Sequence, residues 1–366
     1  MGQLYIGLMS GTSLDGVDVA IVDFDNDNPS LISTFFKPYP QDLLTQLKKI
    51  CGQTQVGFDE LGSLDSQLGS FYAQCVNQSL SNAGLDSSDI VAIGSHGQTI
   101  HHSPNTSPAH TLQIGDANRI AEESGIAVVT DFRRRDIAVG GQGAPLVPAF
   151  HKVTFQSPTD NLVILNIGGI SNVTFLDKNI NSPMIGFDCG PGNTLMNQWC
   201  QLHFDVSFDK SGALAKAGQL NNNLLVSLLA DPYFSLPYPK STGPEYFNID
   251  WLHLHLDKHP TNINDTLRTL CEFSAACIVL SIGLLPSVDQ TLVCGGGVHN
   301  DFLMRRLADL CSCPVTSTET YGVAPDWVEA MAFAWLAKQT VEGKPGNTPS
   351  VTGANKAVVL GAIYPA

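Results

Sequence analysis

The sequence predicts an α/β protein built from two similar halves, and three observations carry that expectation. Apolar runs short enough for strands alternate with longer helix-like stretches from one end of the chain to the other. The segments LYIGLMSGTSLDGVDVAIVDF (4–24) and NLVILNIGGISNVTFLDK (161–178) share one plan: an apolar run, a turn of small residues, and a second apolar run closing on an acid. One such unit near the start of each half points to an internal duplication of roughly 150 residues.

Taken in order, both repeated segments read as β-hairpins. Residues 42–52 and 61–85 read as helices, the second closing on Gly84, and 90–104 is strand-like. GIAVVTDFRRRDIAVGGQGAPLVPAFH (125–151) reads as a strand, a basic turn and a Gly/Pro-rich crossing, the expected domain boundary. In the second half, 182–199 runs from a strand through a Gly/Pro turn into a helix, and 263–285 is a long apolar helix. Residues 290–310 read as strand, triple glycine and helix, and 327–343 as a late helix before a final apolar stretch. Two α/β lobes of this kind are expected to take a ligand in the cleft between them.

Composition narrows the ligand. The chain has 366 residues, 43% of them hydrophobic, enough for a sizeable core, and a formal charge of −15 with only 19 Lys plus Arg. That balance disfavours nucleic-acid and anionic-membrane surfaces and leaves a small anion held by main-chain N–H groups, a metal ion or a few arginines. Nine cysteines without a CxxC pair fit reduced thiols. No export signal and no apolar run near 18 residues is visible, so a cytoplasmic, soluble protein is expected.

The turns hold the chemistry. In SGTSLDG, successive N–H groups would form a concave nest, with Ser10, Thr12 and Ser13 as further donors, suited to phosphate oxygens. Asp15 and Asp18 would hold the Mg²⁺ of a nucleotide. The plainer alternative is an ordinary hairpin with Gly11 and Gly16 chosen for positive φ. NIGGISN (166–172) repeats the offer, and Gly295, Gly296 and Gly297 would let a ligand approach the start of a helix. GxxxxGK[ST] is absent, and no GxGxxG follows a strand with an acid beyond it.

Asp188, where GFDCGPGN turns out of a strand, is either a general base or the cap of the helix starting near Asn193. His96, His101 and His102 raise a metal reading, against which stand polar substrate contacts from Gln98 and Thr99 or plain loop hydration. The three arginines of DFRRRD (131–136) offer a bidentate partner for a substrate carboxylate, or are simply solvated and paired with Asp131 and Asp136.

Together, GLMSGTSLDGVD, SHGQT, DFRRRDIAVGGQGAPLVP, NIGGISN, GFDCGPGN, KSTGPEYFN and CGGGVHN, in this order over essentially the whole chain, resemble the anhydro-N-acetylmuramic acid kinase family. The resemblance implies the sugar kinase, heat-shock protein 70 and actin superfamily: two duplicated actin-like (ribonuclease H-like) lobes with an interlobe ATP cleft. It implies an ATP-dependent kinase that hydrolytically opens 1,6-anhydro-N-acetylmuramic acid and phosphorylates O6, with ATP and Mg²⁺ and as a homodimer. By motif, Gly11, Thr12, Ser13, Leu14, Asp15, Gly16, Val17 and Asp18 would form the first phosphate loop. Asn166, Gly168 and Gly169 would belong to the second, Gly295 to Gly297 would lie by the adenosine, and Asp188 would be the catalytic carboxylate. His96, Gln98, Thr99 and Arg133 would contact the sugar, with Arg133 our candidate for its lactyl carboxylate. The lobes would be 1–140 with about 345–366, holding the first loop and sugar contacts, and 141–344, holding the second loop, Asp188 and the adenosine site. The family more often has an arginine where this chain has Pro244. Three rival readings stand beside this one: a kinase for another amino sugar, a nucleotide-switched interaction protein, and a His-dependent metallohydrolase.

Overall fold

A computed structural model describes residues 3–11, 13–25, 29–51, 53 and 55–366. It divides into two compact units, 1–154 with 327–366 and 155–326. In the first, β1 (Leu4–Met9), β2 (Gly16–Asp23), β3 (Ser30–Pro38) and β4 (Ile90–Ser95) are followed by a ribbon of β5 (Gln98–Ser103) and β6 (His110–Ile114), then β7 (Val128–Thr130). The sheet order is β3-β2-β1-β4-β7, with the C-terminal strand Ala362–Tyr364 on the edge beyond β7. β2 is antiparallel to its neighbours, whereas β1, β4 and β7 run parallel.

The second unit repeats the plan with β8 (Leu162–Ile167), β9 (Ile170–Leu176), β10 (Ile185–Pro191), β11 (Gln290–Cys294) and β12 (Val315–Ser317). Its order is β10-β9-β8-β11-β12, again with the hairpin antiparallel and β8, β11 and β12 parallel. Both sheets therefore have the order 3-2-1-4-5 of a ribonuclease H-like lobe, and the two hairpins legible in the sequence occupy the same place in each.

Each hairpin strand is apolar on both faces because helices cover the sheet on both sides. In the first core Ile6, Leu8, Val17, Val19 and Ile21 meet Leu64, Leu68, Phe71 and Tyr72 of the Phe58–Ala83 helix. That helix ends where the sequence placed its stop, with Gly84 at φ 67° accepting the left-handed cap. In the second core Val163, Leu165, Val173 and Phe175 pack with Trp199, Leu267, Leu270 and Phe273.

The units part at 154/155 and 326/327 rather than at 140/141 and 344/345. The late helix, Val328–Val341, lies on the first sheet, and two glycines explain why. A Cβ on Gly7 of β1 would overlap the carbonyl oxygen of Ala330, and one on Gly94 of β4 that of Phe333. Helix and sheet approach until main chain touches main chain, a fit that leaves no room for any other residue. Two local expectations also change. DFRRRD is not a turn but enters a short helix, Phe132–Ala138, through Asp131 at φ 61°, and 90–104 is two strands broken at Gly97, φ 71°.

Gly94 is not in the positive-φ region, so an alanine there would ordinarily be neutral or slightly stabilising through the unfolded chain. Here Gly94→Ala should instead cost about 1–3 kcal/mol in urea denaturation, the penalty of an overpacked contact. An unchanged midpoint would mean that the helix does not seat on β4.

Candidate active site

In each unit the candidate residues lie at the carboxyl ends of the parallel strands, where open α/β sheets hold ligands. In the first unit β1 leads into Ser10 and the 10–15 loop, β4 into His96, and β7 towards Arg133. Thr12 lies outside the described residues. The loop contains one turn, Leu14 N–H to Gly11 O at 3.3 Å, with Leu14 itself at φ 56°. Gly11 and Gly16 are not the left-handed residues; Gly16 is small because a Cβ there would strike Lys37 O and the Phe36 ring. Val17 has its side chain in the core, and Asp18 is half-buried in β2.

Several hydroxyls and amides expected to face a ligand instead hold this loop. Ser10 is 2% exposed; its Oγ donates to Gly97 O (3.1 Å) and pairs with the Tyr72 hydroxyl (3.0 Å). Gln98, fully buried, donates from Nε2 to Gly11 O (3.2 Å) while its Oε1 accepts from the Tyr39 hydroxyl (3.3 Å). The Thr99 hydroxyl accepts from Gln113 Nε2 at 3.2 Å. Gln98 is thus a brace for the loop, turned inward because β5 begins under it. Ser13 remains exposed and donates to Asp15 Oδ1 at 2.8 Å.

His96 connects the loop to the arginine. Arg133 donates to His96 Nε2 from Nε (3.1 Å) and Nη2 (2.8 Å), so Nε2 carries no proton and Nδ1–H donates to Ser10 O (3.2 Å). Burial and the Arg133 charge push the His96 pKa well below its ordinary value. Arg133 also donates from Nη1 to Gly143 O at 2.8 Å, which leaves two of its five N–H groups for a ligand. Gly143 N–H is in turn held by Asp136, a buried carboxylate that also accepts from Asn347 and Thr352. Arg134, by contrast, pairs with Asp131 at 3.1 Å, and both Arg134 and Arg135 are exposed. Of the three arginines only Arg133 turns in. Beside it stands Glu329, whose carboxyl burial pushes up while the Arg133 charge draws it down. Sequence reading missed it, although it is the single acid in the apolar run VEAMAFAWLA.

In the second unit three turns come together. The 168–169 turn receives N–H groups from the turn after β10: Gly192 and Thr194 to Gly169 O (2.9 and 3.0 Å), and Asn193 to Gly168 O (2.9 Å). A Cβ on Gly295, φ 79°, would collide with the Asn166 side chain, and one on Gly297 with Ile167. Gly296 is exposed. The triple glycine opens not an α-helix but a single 3₁₀ turn, Gly296–His299, and the α-helix starts later, at Asp301, capped by Asn300.

Asp188 lies on β10, the edge strand of this sheet, and is half-buried. It caps no helix: the Thr194–Phe204 helix begins without a side-chain cap, and the Asp188 carboxylate accepts instead from Thr242 N–H at 3.0 Å. Burial raises its pKa to about 6, opposed by the Thr242 hydrogen bond and reinforced by the negative charge of Glu245. Its main chain is engaged as well, N–H to Lys240 O (3.0 Å) and C=O from the Tyr233 hydroxyl (2.7 Å). Pro244 stands exposed in the same loop. Thr242 acts through its main-chain N–H and Tyr233 through its hydroxyl; the motif KSTGPEYFN marks the segment that holds Thr242, but not which of its groups meets Asp188.

The metal reading of the histidines finds no support in the contacts: His101 bonds Ser103 and stacks on His110, and His102 bonds Thr111. Among the described residues no group of three or more His, Cys, Asp or Glu is arranged to hold a metal. Asp15 and Asp18 are two carboxylates only, which would suit an Mg²⁺ that arrives with a nucleotide and takes its other ligands from phosphate and water.

Comparison with known proteins adds the following. A family model described as anhydro-N-acetylmuramic acid kinase matches residues 3–366. Anhydro-N-acetylmuramic acid kinase of Shewanella amazonensis is 49% identical over 366 residues, covering 100% of this chain and 99% of the relative. That of Pasteurella multocida is 50% identical over 365 residues, covering 99% of this chain and 96% of the relative. Among solved structures, the activator of the 2-hydroxyisocaproyl-CoA dehydratase from Clostridium difficile with bound ADPNP is 14% identical with a TM-score of 0.46, over 93% of this chain and 96% of that one.

The hydrogen-bond pattern makes a prediction for His96. In ¹⁵N NMR spectra its ring should still be the neutral Nδ1–H tautomer at about pH 6.5, where a free imidazole is half protonated, with a signal that Arg133→Ala displaces. The folded pKa lies below the ordinary 6.5. The stability His96 contributes is therefore present above that value and declines as pH falls beneath it. A ring that titrates near 6.5 would contradict the contact with Arg133.

Proposed function

The chain belongs to the anhydro-N-acetylmuramic acid kinase family, and from that premise we propose which of its residues carry the reaction. The enzyme is a phosphotransferase of cell-wall recycling that uses ATP to convert 1,6-anhydro-N-acetylmuramic acid into N-acetylmuramic acid 6-phosphate and ADP. Water must add to the anomeric carbon, the bond from that carbon to O6 must break, and O6 must take the γ-phosphoryl group. One proton leaves the attacking water.

Asp188 takes that proton. The observation supporting this reading is the state of its carboxylate: half-buried, bonded by one N–H, and with a pKa raised to about 6. Such a group is ionised at neutral pH yet more basic than a solvated aspartate, as a general base near its working pH requires. Because the ionised form is the active one, turnover should rise with pH through about 6.

The main chain of 11–18 and of 166–172, with Gly168 and Gly169, takes the phosphates, and Gly295 to Gly297 border the adenosine. Phosphoryl transfer asks mostly for positioning and charge neutralisation. Asp15 and Asp18 would hold Mg²⁺, which would neutralise the phosphate charge when bound. Arg133 keeps two N–H groups for the lactyl carboxylate, a bidentate partner that His96 fixes in place. Thr99 lines the sugar's side of the first unit, whereas His96 and Gln98, both buried, serve the loop and Arg133. No helix among the described residues is long and apolar enough to cross a membrane. A cytoplasmic homodimer completes the proposal.

Asp188→Asn should lower turnover about 10²–10⁴-fold while nucleotide binding, read by titration calorimetry, is retained. In ¹⁸O-water the wild-type product should carry label on the anomeric oxygen and none in the phosphate, by mass spectrometry. Label in the phosphate would mean that water attacks phosphorus, and an active Asp188→Asn enzyme would remove the assigned base.

A further inference from the structure

An edge strand exposes N–H and C=O groups that something must cover. On β10 the cover is the 231–251 segment, and it touches Asp188 at three points: Lys240 O on its N–H, the Tyr233 hydroxyl on its C=O, and Thr242 N–H on its carboxylate. The segment has little regular structure of its own between Ser235 and Ile249. One carboxylate gathers donors from along it. Asp231, 9% exposed, accepts from Tyr233 N–H (Oδ1, 2.9 Å), from the Tyr246 hydroxyl (Oδ1, 3.0 Å; Oδ2, 3.2 Å) and from the Trp251 indole N–H (Oδ2, 3.0 Å).

These three donors come from the start, the far side and the end of the loop, so a single carboxylate ties its two ends together. Around that tie the rings interlock: Phe247, fully buried, meets Tyr233, Tyr246 and Trp251 edge to face. Lys240 is fastened to the same knot, its Nζ donating to Tyr233 O at 3.3 Å and lying 4.7 Å from the Tyr233 ring centre. Removing one acceptor from a buried network of this kind leaves several donors unsatisfied at once.

We propose that Asp231 is a positioning residue of the reaction, closing the 231–251 loop over β10 so that Thr242 N–H stays on the Asp188 carboxylate. The proposal rests on the reading of Asp188 as the base. Asp231 touches no reacting atom; it acts through the loop. Glu245 and Tyr233 of the loop and Cys189 on β10 face Asp188; Lys240 of the loop and Cys277 on the Ile263–Ile282 helix lie behind them against Cys189, and Cys277 also faces Asp231. Burial holds both thiols and the Tyr233 phenol protonated, so Thr242, Glu245 and Lys240 are the contacts that a loosened loop would alter. The Thr242 bond lowers the Asp188 pKa and is a larger influence than Glu245, which raises it. Loss of the bond by itself moves the base upward, whereas exposure of the carboxylate and withdrawal of Glu245 move it downward, so a loosened loop displaces the base from its set point.

The test is the pH profile of kcat and kcat/KM for the anhydro sugar with wild type, Asp231→Asn and Tyr246→Phe, beside thermal melts and Asp188→Asn as reference. Asp231→Asn turns an amide towards three donors, and Tyr246→Phe removes one of them with little change of shape. The acid limb should be displaced by roughly half a unit or more in Asp231→Asn and by less in Tyr246→Phe, about a threefold change in the ratio of kcat at pH 5 to that at pH 8. A purely structural role would lower the melting temperature and leave the limb in place, and that result overturns the proposal. Should Asp231→Asn fail to fold, an unmoved limb in Tyr246→Phe overturns it equally. An Asp188→Asn enzyme that still turns over removes the base itself and this inference with it, whereas an inactive one beside unmoved limbs removes this inference alone.

Discussion

A single main-chain N–H, that of Thr242, bonds the half-buried Asp188 carboxylate, and a loop laid over the edge strand supplies it. Burial alone would drive the Asp188 proton on; the hydrogen bond draws it off, and the balance puts the group near neutrality. Placing the base on the edge strand makes the balance possible. On a central strand the main-chain groups of Asp188 would already be paired, whereas on the edge they are free to anchor the loop that brings Thr242 to the carboxylate.

The duplicated sheets solve two different problems with one topology. In the first unit the turn after β1 is long, and side chains brace it: Gln98 on Gly11, His96 on Ser10, and the hydroxyls of Tyr72 and Tyr39 behind them. In the second the turn after β8 is only Gly168 and Gly169, and main chain braces it, through the N–H groups of Gly192, Asn193 and Thr194. The absence of side chains at Gly295 and Gly297 lets a third turn close over β8. Where side chains do the bracing, the polar residues face inward, which is why Ser10 and Gln98 are buried.

Much of the fold was legible because it follows from patterns that a chain must display. Both hairpins, the long helix closing on Gly84 and the strand–turn–helix around Asp188 follow from apolar periodicity and glycine placement. The partner of the Val328–Val341 helix was not legible, because Gly7 and Gly94 look like any strand glycine until the helix is laid upon them. At the site, residue types marked the right turns but not the direction of their side chains. Nothing in SHGQT distinguishes a glutamine that greets a sugar from one that holds Gly11. Thr242 acts through its N–H, which every residue but proline has, and Asp231 is one of 34 acids without a motif.

The central claim, a carboxylate at position 188 poised to take a proton from water, is tested most directly by a ¹³C NMR titration of aspartate-labelled enzyme, the signal assigned by its absence in Asp188→Asn. The account predicts a midpoint near 6. A carboxyl that titrates near 4, like a solvated aspartate, would contradict it.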